Sequence, residues 1–506
     1  MNTTPYLTKT LLLSARQCPK RLWLEFHAPD RLEPPSLTLL RRMQQGSEVG
    51  RLARARFPGG QLIAVAAARA PRATQAALAR AATTLFEPAF VYDGVLVRCD
   101  ILTLTAEGWH LIEVKAATSH SPTHLTDLAI QWYVLHGAGV EVARASIMHI
   151  NSHCSRYPDD GELFVLADLT AEVRALQDEI PAWIAAARTV QAAAAEPAQP
   201  IGDHCQHPYP CPAQSYCWRD VPAASIFSIP RLGRQQRENL LSRGILRIDQ
   251  IPAGEVFGAS QQCHIDVIRR QEPYIDVVAI RRRLETLEYP LYFLDFEADS
   301  TPIPQFPDQR PYQAIPFQYS CHVLHADGRE EHCEYLHTAA SDPRLPLARG
   351  LVEQIGDTGS MVAYNAQYER HILLELAKQF PSYRLRLEQM AARLWDQMLI
   401  FRHDYIDPGF GGSASIKHVL PVLVPWLTYD ELAVRRGDAA QAAWAELVAS
   451  RDPQQRAELD QNLRAYCHRD TQAMLEIHKV LMRVVAQAET AAQEAGAGLV
   501  RAFEQE

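Results

Sequence analysis

The chain has 506 residues, a length that corresponds to about three domains at ~150 residues each. Its 47% hydrophobic and 22% charged residues are typical of folded globular proteins and exclude wholesale disorder. With 50 basic against 59 acidic side chains the formal charge is -9, which excludes a protein that coats nucleic acid through its overall charge.

Two further features concern the expected environment. The sequence has no run of 18 apolar residues, and its start has three consecutive leucines in place of the longer apolar region of a signal peptide. Ten cysteines are too few for a disulfide scaffold of this size. We therefore expect a cytoplasmic protein without membrane contact, in which clustered cysteines hold metal.

The chain divides into three predicted segments. Residues 1–220 mix helical periodicity with strand-like runs and predict an α/β domain. Residues 221–285 predict a small helical connector, in which LLSRGILRIDQIPA resembles a helix-hairpin-helix turn; an ordinary connector is the alternative. Residues 286–506 restart with the apolar strand LYFLDFEAD and predict a second α/β domain.

A first acidic pair lies in the segment VLVRCDILTLTAEGWHLIEVKA, which reads as a hairpin with a turn between Thr105 and Gly108. In this register Asp100 falls opposite Glu113, and Lys115 shares their face. Two carboxylates about 5 Å apart repel each other unless a cation such as Mg²⁺ or Mn²⁺ lies between them. Lys115 would then orient or deprotonate the water that attacks a phosphodiester. A solvated charge ladder at a hairpin edge is the alternative.

These residues carry a resemblance. Asp100 followed by Glu113-Val114-Lys115 resembles the catalytic core of the PD-(D/E)XK nuclease superfamily. The opening LSARQCPKRLWLEF is similar to RecB-type nucleases, especially the iron–sulfur subgroup that includes AddB and the CRISPR adaptation nucleases. The resemblance implies that Gln131 and Tyr133, in the following helix, contact nucleic acid. Where that subgroup usually has a histidine metal ligand, this sequence has Gly50.

Four cysteines form a candidate cofactor site. Cys205, Cys211 and Cys217 are evenly spaced in CQHPYPCPAQSYCW, and Cys18 stands alone near the N-terminus. Three thiolates in a turn-rich segment can converge, and a distant fourth would tie the two ends of the domain together. Zinc is the competing occupant, although the CxxC pairs common in zinc sites are absent. The resemblance to the iron–sulfur nucleases implies a structural [4Fe–4S] cluster on these four residues.

A second acidic pair lies in LYFLDFEAD. The period of a strand places Asp295 and Glu297 on one face, with Leu294 and Phe296 directed into a core on the other. Two acidic side chains on one face of an apolar strand are costly without a cation. The sequence therefore predicts a second metal site at this strand.

Two helical pairs accompany it. Tyr466 and Asp470 lie four residues apart in NLRAYCHRDTQAM and share a helix face, as do Asn365 and Glu369 in MVAYNAQYERHILLEL. In chain order, D-x-E, N-A-x-x-E and Y-x-x-x-D resemble the three motifs of the DnaQ-like (DEDD) 3′–5′ exonucleases in the tyrosine variant.

That resemblance implies a ribonuclease-H-like mixed sheet and two divalent ions that clamp the scissile phosphate. The ligands would be Asp295, Glu297 and Asp470, with Glu369 where aspartate is typical and Asp396 as the fallback ligand. Tyr466 would orient the attacking water. Lys417, in GSASIKHVLP, is a candidate phosphate contact.

The fold expected for the whole chain is therefore α/β, with a restriction-endonuclease-like PD-(D/E)XK domain, a helical connector and a DnaQ-like domain. The chain resembles a bacterial family of unknown function that joins these two nuclease types. We expect a metal-dependent nuclease that acts on single-stranded or end-containing DNA in repair or defence, and a helicase partner is compatible with this. A catalytically impaired nucleic-acid-binding scaffold, favoured by Gly50 and Glu369, and a ribonuclease are the alternatives.

Overall fold

The computed structural model describes residues 6–155, 157 and 162–503, with side chains as far as residue 491. The protein is mixed α/β and divides into two compact units. The first unit comprises residues 1–220 and 300–313, and the second comprises residues 221–299 and 314–506. Across the described part of the chain, every helix is too short or too polar to cross a membrane.

The first unit contains a six-stranded sheet and a three-stranded sheet. The strands of this unit are β1 (Leu7–Thr8), β2 (Gln61–Leu62), β3 (Thr84–Phe86), β4 (Ala89–Tyr92), β5 (Val95–Arg98), β6 (Ile101–Thr105), β7 (Gly108–Lys115), β8 (Val142–Ile150) and β9 (Phe164–Asp168). Its helices are α1 (Lys9–Gln17), α2 (Pro19–His27), α3 (Leu37–Ala55), α4 (Ala70–Leu78), α5 (Pro122–Gly137), α6 (Thr170–Ala175), α7 (Ile180–Ala192) and α8 (Gln214–Trp218). The larger sheet has the order β2-β3-β6-β7-β8-β9, and the smaller has the order β1-β5-β4.

The hairpin of β6 and β7 has the register that the sequence predicts, from Thr105 opposite Gly108 to Ile101 opposite Ile112. Strand β7 pairs in parallel with β8 on its other side, and the central strands are largely buried. Helix α5 begins at Pro122, where the Ser121 hydroxyl accepts a hydrogen bond from a backbone amide of the first turn. The apolar residues of α5 pack into the main core of this unit, together with residues of β7 and β8.

The second unit contains a five-stranded sheet and a two-stranded ribbon. Its strands are β10 (Tyr274–Ile275), β11 (Leu291–Asp299), β12 (Ile315–Leu324), β13 (Glu330–Leu336), β14 (Met361–Ala363), β15 (Leu394–Asp396) and β16 (Tyr405–Ile406). Its helices are α9 (Arg234–Ser242), α10 (Ala259–Arg270), α11 (Val277–Leu284), α12 (Arg344–Gln354), α13 (Gln367–Gln379), α14 (Arg384–Ala392), α15 (Met398–His403), α16 (Ile416–Leu423), α17 (Gly437–Ala449) and α18 (Pro453–Phe503).

The five-stranded sheet has the order β13-β12-β11-β14-β15. Strands β13, β12 and β11 are antiparallel neighbours, whereas β14 and β15 run parallel to β11. Leu294 and Phe296 face one core of the unit, and Leu291 and Phe293 face a second core to which α18 contributes. The alternation predicted for β11 is thus confirmed, and it directs the acidic residues of this strand toward the α18 side.

Candidate functional site

The carboxylates of Asp295, Glu297 and Asp470 converge in the second unit. Each offers an oxygen that lies within 4.8 Å of an oxygen of the other two. Two of them come from the central strand β11 and the third from α18, which packs on the same face of the sheet. Pairing between β11 and β12 shifts register after Glu297, an irregularity that often re-aims side chains beside a site. Oxygen ligands in such a group suit a hard divalent cation.

The pKa shifts of these three carboxyl groups also favour a bound cation. Burial and repulsion from Asp470 and Glu297 raise the pKa of Asp295 well above its usual value. Burial and repulsion from Asp470 raise the pKa of Glu297 to about 8, and burial raises that of Asp470. Lys417 opposes the last two shifts. One lysine does not balance three buried carboxylates, so a bound divalent cation would relieve their repulsion.

Lys417, Tyr466 and Tyr429 line this group of carboxylates. The Lys417 ammonium donates to the Tyr466 hydroxyl at 3.3 Å and to the backbone oxygen of Arg435 at 2.6 Å. It also lies 5.3 Å from the ring centroids of both tyrosines. The Tyr429 hydroxyl donates to Oδ1 of Asp470. Burial and the neighbouring carboxylates raise the pKa of Tyr466, so its hydroxyl stays protonated, and it hydrogen-bonds the carboxylate of Asp470.

Glu369 is buried in the first turn of α13, and its Oε2 has no hydrogen-bond partner among the described residues. Burial and the charge of Asp396 raise the pKa of Glu369 to about 8. The charge of Glu369 in turn raises the pKa of Asp295, although Glu369 lies outside the group formed by Asp295, Glu297 and Asp470. The predicted helix face shared by Asn365 and Glu369 is wrong, because α13 begins at Gln367. Asn365 precedes the helix, with φ of 72°.

Two acidic residues of the first unit form ion pairs with lysines of the same unit. Glu113 Oε1 lies 2.8 Å from the ammonium of Lys9 and 2.7 Å from that of Lys115. The two lysines also contact Asp127, at 3.2 Å and 2.7 Å. The pairing of β6 with β7 ends at Ile101, so Asp100 lies one residue beyond it, and its Oδ2 accepts a hydrogen bond from the backbone amide of Val114 at 2.7 Å. The position predicted for a metal ion is thus surrounded by two ammonium groups.

The pKa shifts in the first unit follow from this arrangement. Burial alone would raise the pKa of Glu113, but the charges of Lys115 and Lys9 outweigh it and hold that pKa well below its usual value. Burial and the negative charge of Glu113 raise the pKa of Asp100 to about 7. The carboxylates outweigh the opposite effect of burial on Lys9 and raise its pKa. Lys9, Lys115 and Glu113 are therefore charged at neutral pH.

Gln131 and Tyr133 occupy different environments on α5. The Gln131 side chain is fully buried, and its amide donates to Glu113 Oε2 at 2.9 Å and to Asp127 Oδ1 at 3.0 Å. Gln131 Nε2 therefore positions these carboxylates, whereas Gln131 Oε1 has no hydrogen-bond partner among the described residues. The predicted contact of Gln131 with nucleic acid stays a prediction. Tyr133 is half-buried and packs edge-on against Tyr92, with ring centroids 5.4 Å apart.

The four candidate cluster cysteines gather where the N-terminal helices meet the segment after α7. Cys18 ends α1 and precedes α2. Burial raises the pKa of Cys18, Cys211 and Cys217, and the charges of the other cysteines of the set contribute. Cys205 is 6% exposed and its backbone oxygen accepts from the amide of Cys211 at 2.8 Å. All four are free thiols, so the donor set fits a thiolate-bound metal group.

Sequence reasoning missed Lys9, Asp127 and Tyr429. Lys9 and Tyr429 belong to no motif used in the prediction, and only the fold brings them to the carboxylates. Asp127 carried a usable signal, because it lies four residues before Gln131 on a helix and so shares its face.

Comparison with known proteins gives two matches. Residues 292–415 match the family model described as "Domain of unknown function (DUF2779)". The matched region includes Asp295, Glu297 and Glu369 and ends before α18. The chain is also 29% identical over 213 residues to the "Uncharacterized protein MG366 homolog" of Mycoplasma pneumoniae, a match that covers 38% of this chain and 32% of that protein. The chain thus spans about a third of the length of this relative. Neither description names an activity.

Proposed function

We propose that this protein is a metal-dependent nuclease whose hydrolytic centre lies in the second unit. The observation that carries this proposal is the convergence of Asp295, Glu297 and Asp470 within 4.8 Å, with Lys417 as the nearby counter-charge. Three oxygen ligands and a deficit of positive charge suit divalent ions such as Mg²⁺ or Mn²⁺.

The residues of this centre fit the chemistry of phosphodiester hydrolysis. Asp295, Glu297 and Asp470 would hold the ions, which when bound supply charge for the attacking and leaving oxygens. Tyr466 keeps its hydroxyl proton, and its hydroxyl, which contacts Lys417 and Asp470, would hydrogen-bond and orient the attacking water. Lys417, hydrogen-bonded to Tyr466, carries the positive charge that a phosphate oxygen would meet. Glu369, whose charge raises the pKa of Asp295 and Glu297, would take part through a water or a second ion.

The fold of the second unit supports the ribonuclease-H-like interpretation. Its mixed sheet has three antiparallel strands, and two further strands run parallel to β11. Strand β11 is the first strand of this sheet in chain order, lies at its centre and bears the acidic pair. This agrees with the mixed sheet that the DnaQ-like resemblance implies.

For the first unit we propose the restriction-endonuclease-like fold and a role in binding rather than cleavage. A specific observation favours this: two ammonium groups occupy the surroundings of Glu113, where a catalytic metal would need to bind. Glu113 thus already has its counter-charge. A metal ion on Asp100 and Glu113, as the sequence predicts, would require Lys9 to move away.

The four cysteines are proposed to hold a [4Fe–4S] cluster. The charges of these cysteines act on one another's pKa, which places the thiols near each other. The CxxC pairs common in zinc sites are absent from the sequence, which favours a larger cluster over a single zinc ion.

The test is degradation of 5′- and 3′-labelled single- and double-stranded DNA with Mg²⁺ or Mn²⁺, beside RNA of the same sequence. We expect wild type to degrade single-stranded or end-containing DNA, Asp295→Asn to be inactive, and Glu113→Gln to retain activity. Glu353→Gln, an exposed carboxylate of α12, is the control. Full activity in Asp295→Asn would overturn the proposal, and preferential cleavage of RNA would make the protein a ribonuclease. Absence of cleavage by wild type would support the binding-scaffold alternative.

A further inference from the structure

A second group of metal-ligating side chains lies in the second unit, apart from the carboxylates. One ring nitrogen from each of His322, His332 and His468 lies within 4.8 Å of one from the other two. The three ring centroids are 4.5 to 4.6 Å apart. The rings meet at angles between 45° and 74°, so they do not form a parallel stack.

Strand pairing and helix packing create this cluster. His322 on β12 lies directly opposite His332 on the edge strand β13. His468 comes from α18, which packs over the same sheet face. Residues 468 and 470 point to different sides of α18, since two helical positions correspond to about 200°. The histidine cluster and the carboxylate group therefore have separate ligand sets although they share one helix.

Two hydroxyl groups contact the rings. Thr471 Oγ1 lies 2.8 Å from Nδ1 of His322 and 2.8 Å from the hydroxyl of Ser320, and it can donate to the backbone oxygen of His468 at 3.1 Å. Ser320 Oγ lies 2.9 Å from Nε2 of His332. When each ring donates to its hydroxyl through that nitrogen, Nε2 of His322 and Nδ1 of His332 keep lone pairs for an ion.

Such an arrangement is typical of a metal site. Metal-bound histidines donate their second nitrogen to an oxygen, which fixes the tautomer and the ring orientation. Imidazole ligands suit zinc and related transition metals, whereas carboxylate oxygens suit magnesium and manganese. Glu334 lies on the same face of β13, but its carboxylate binds Arg464 at 2.9 Å. A water molecule is therefore the expected fourth ligand.

We propose that His322, His332 and His468 bind one transition-metal ion of the zinc type, in a site that joins the edge of the sheet to α18. His332 is exposed and His322 is 7% exposed, so an ion can enter from solvent while one ligand stays anchored in the core. Because α18 also carries Tyr466 and Asp470, the ion would fix the helix that completes the carboxylate group.

The experiment is a titration of the reduced full chain with Co²⁺ in excess Mg²⁺, which keeps the carboxylates occupied. We expect wild type to show histidine-dependent cobalt bands in addition to the sulfur-to-cobalt charge-transfer band of the four thiols. His332→Ala and His468→Ala should lose the histidine-dependent bands and keep the charge-transfer band, with affinity of the histidine site reduced more than about 100-fold. Thr471→Val, which removes the hydroxyl that fixes His322, should weaken binding by about 10- to 100-fold.

His403→Gln, a change at an exposed histidine of α15, is the control and should bind cobalt as wild type does. Far-ultraviolet circular dichroism of each variant checks that the fold is retained. Because His332 is exposed, His332→Ala is expected to disturb the fold least. Cobalt bands of equal intensity in wild type, His332→Ala and His468→Ala would overturn the proposal. The absence of any histidine-dependent band in wild type would overturn it as well.

Discussion

The ammonium nitrogen of Lys9 lies 2.8 Å from Oε1 of Glu113, although the two residues are 104 positions apart in the chain. Lys9 begins α1 and Glu113 lies in β7, so the contact depends on the packing of the N-terminal helix against the sheet. In the first unit Glu113 therefore has two lysine ammonium groups as counter-charge. In the second unit three carboxylates share the single ammonium of Lys417. The two acidic centres therefore respond differently to mutation and to metal.

Lys9→Met is expected to destabilise the protein by about 2 kcal/mol. This is less than the ~3–5 kcal/mol typical of a buried charge left unpaired, because Lys115 still contacts Glu113. Urea denaturation at neutral pH measures the change. Arg144→Met, which breaks an exposed pair with Asp168, is the control and should cost less than about 1 kcal/mol. Equal effects of the two changes would contradict a special role for Lys9.

Asp295→Asn is expected to stabilise the metal-free protein by about 1 kcal/mol, because it removes one of three mutually repelling buried carboxylates. The stabilisation by Mg²⁺ that we expect for wild type should be reduced or lost in the variant. Urea denaturation with chelator and with Mg²⁺ gives both numbers. A variant that is less stable than wild type in chelator would argue that Asp295 has a structural partner rather than a metal.

Tyr466→Phe is expected to lower the rate of phosphodiester cleavage by about 100-fold while KM and Mg²⁺ dependence change little. The hydroxyl is the group proposed to orient water, and its loss leaves the three carboxylates in place. Single-turnover cleavage of a labelled oligonucleotide measures the rate. Tyr274→Phe, at an exposed tyrosine of the same unit, should match wild type. Wild-type cleavage by Tyr466→Phe would exclude its hydroxyl from the reaction.

Cys211→Ser is expected to abolish the visible absorbance and iron content of anaerobically purified protein. It should also lower the melting temperature, because metal binding and folding of this segment are coupled. Cys263→Ser, a change at a cysteine outside the proposed set, should keep both iron and stability. Iron analysis and thermal denaturation provide the measurements. Zinc in wild type, with no iron under anaerobic conditions, would replace the cluster with a zinc site.

Local patterns predicted local geometry well. The register of β6 and β7 follows from the turn at Thr105 to Gly108, and the faces of β11 follow from strand periodicity, so both were accessible from the sequence. Asn365 was misplaced because its left-handed backbone precedes α13, a boundary that residue spacing does not reveal. The approach of Lys9 to Glu113 depends on tertiary packing, which no short motif encodes.

His478 is expected to make the protein sensitive to mild acid. Both ring nitrogens are buried without a hydrogen-bond partner among the described residues, and the ring packs against Phe293 with centroids 5.6 Å apart. Burial, helped by the charge of Lys479, lowers the pKa of His478 to about 4, against about 6.5 in the unfolded chain. Between these values the unfolded state binds more protons, so the unfolding free energy falls as pH falls from 6.5 toward 4. At pH 5 the loss of unfolding free energy from this one residue is about 2 kcal/mol.

Urea denaturation at pH 8 and pH 5 tests this. Between these pH values the unfolding free energy of His478→Leu should fall by about 2 kcal/mol less than that of wild type, whereas His403→Leu, at an exposed position, should follow wild type. Parallel pH curves for His478→Leu and wild type would mean that His478 takes up a proton equally well in the folded state.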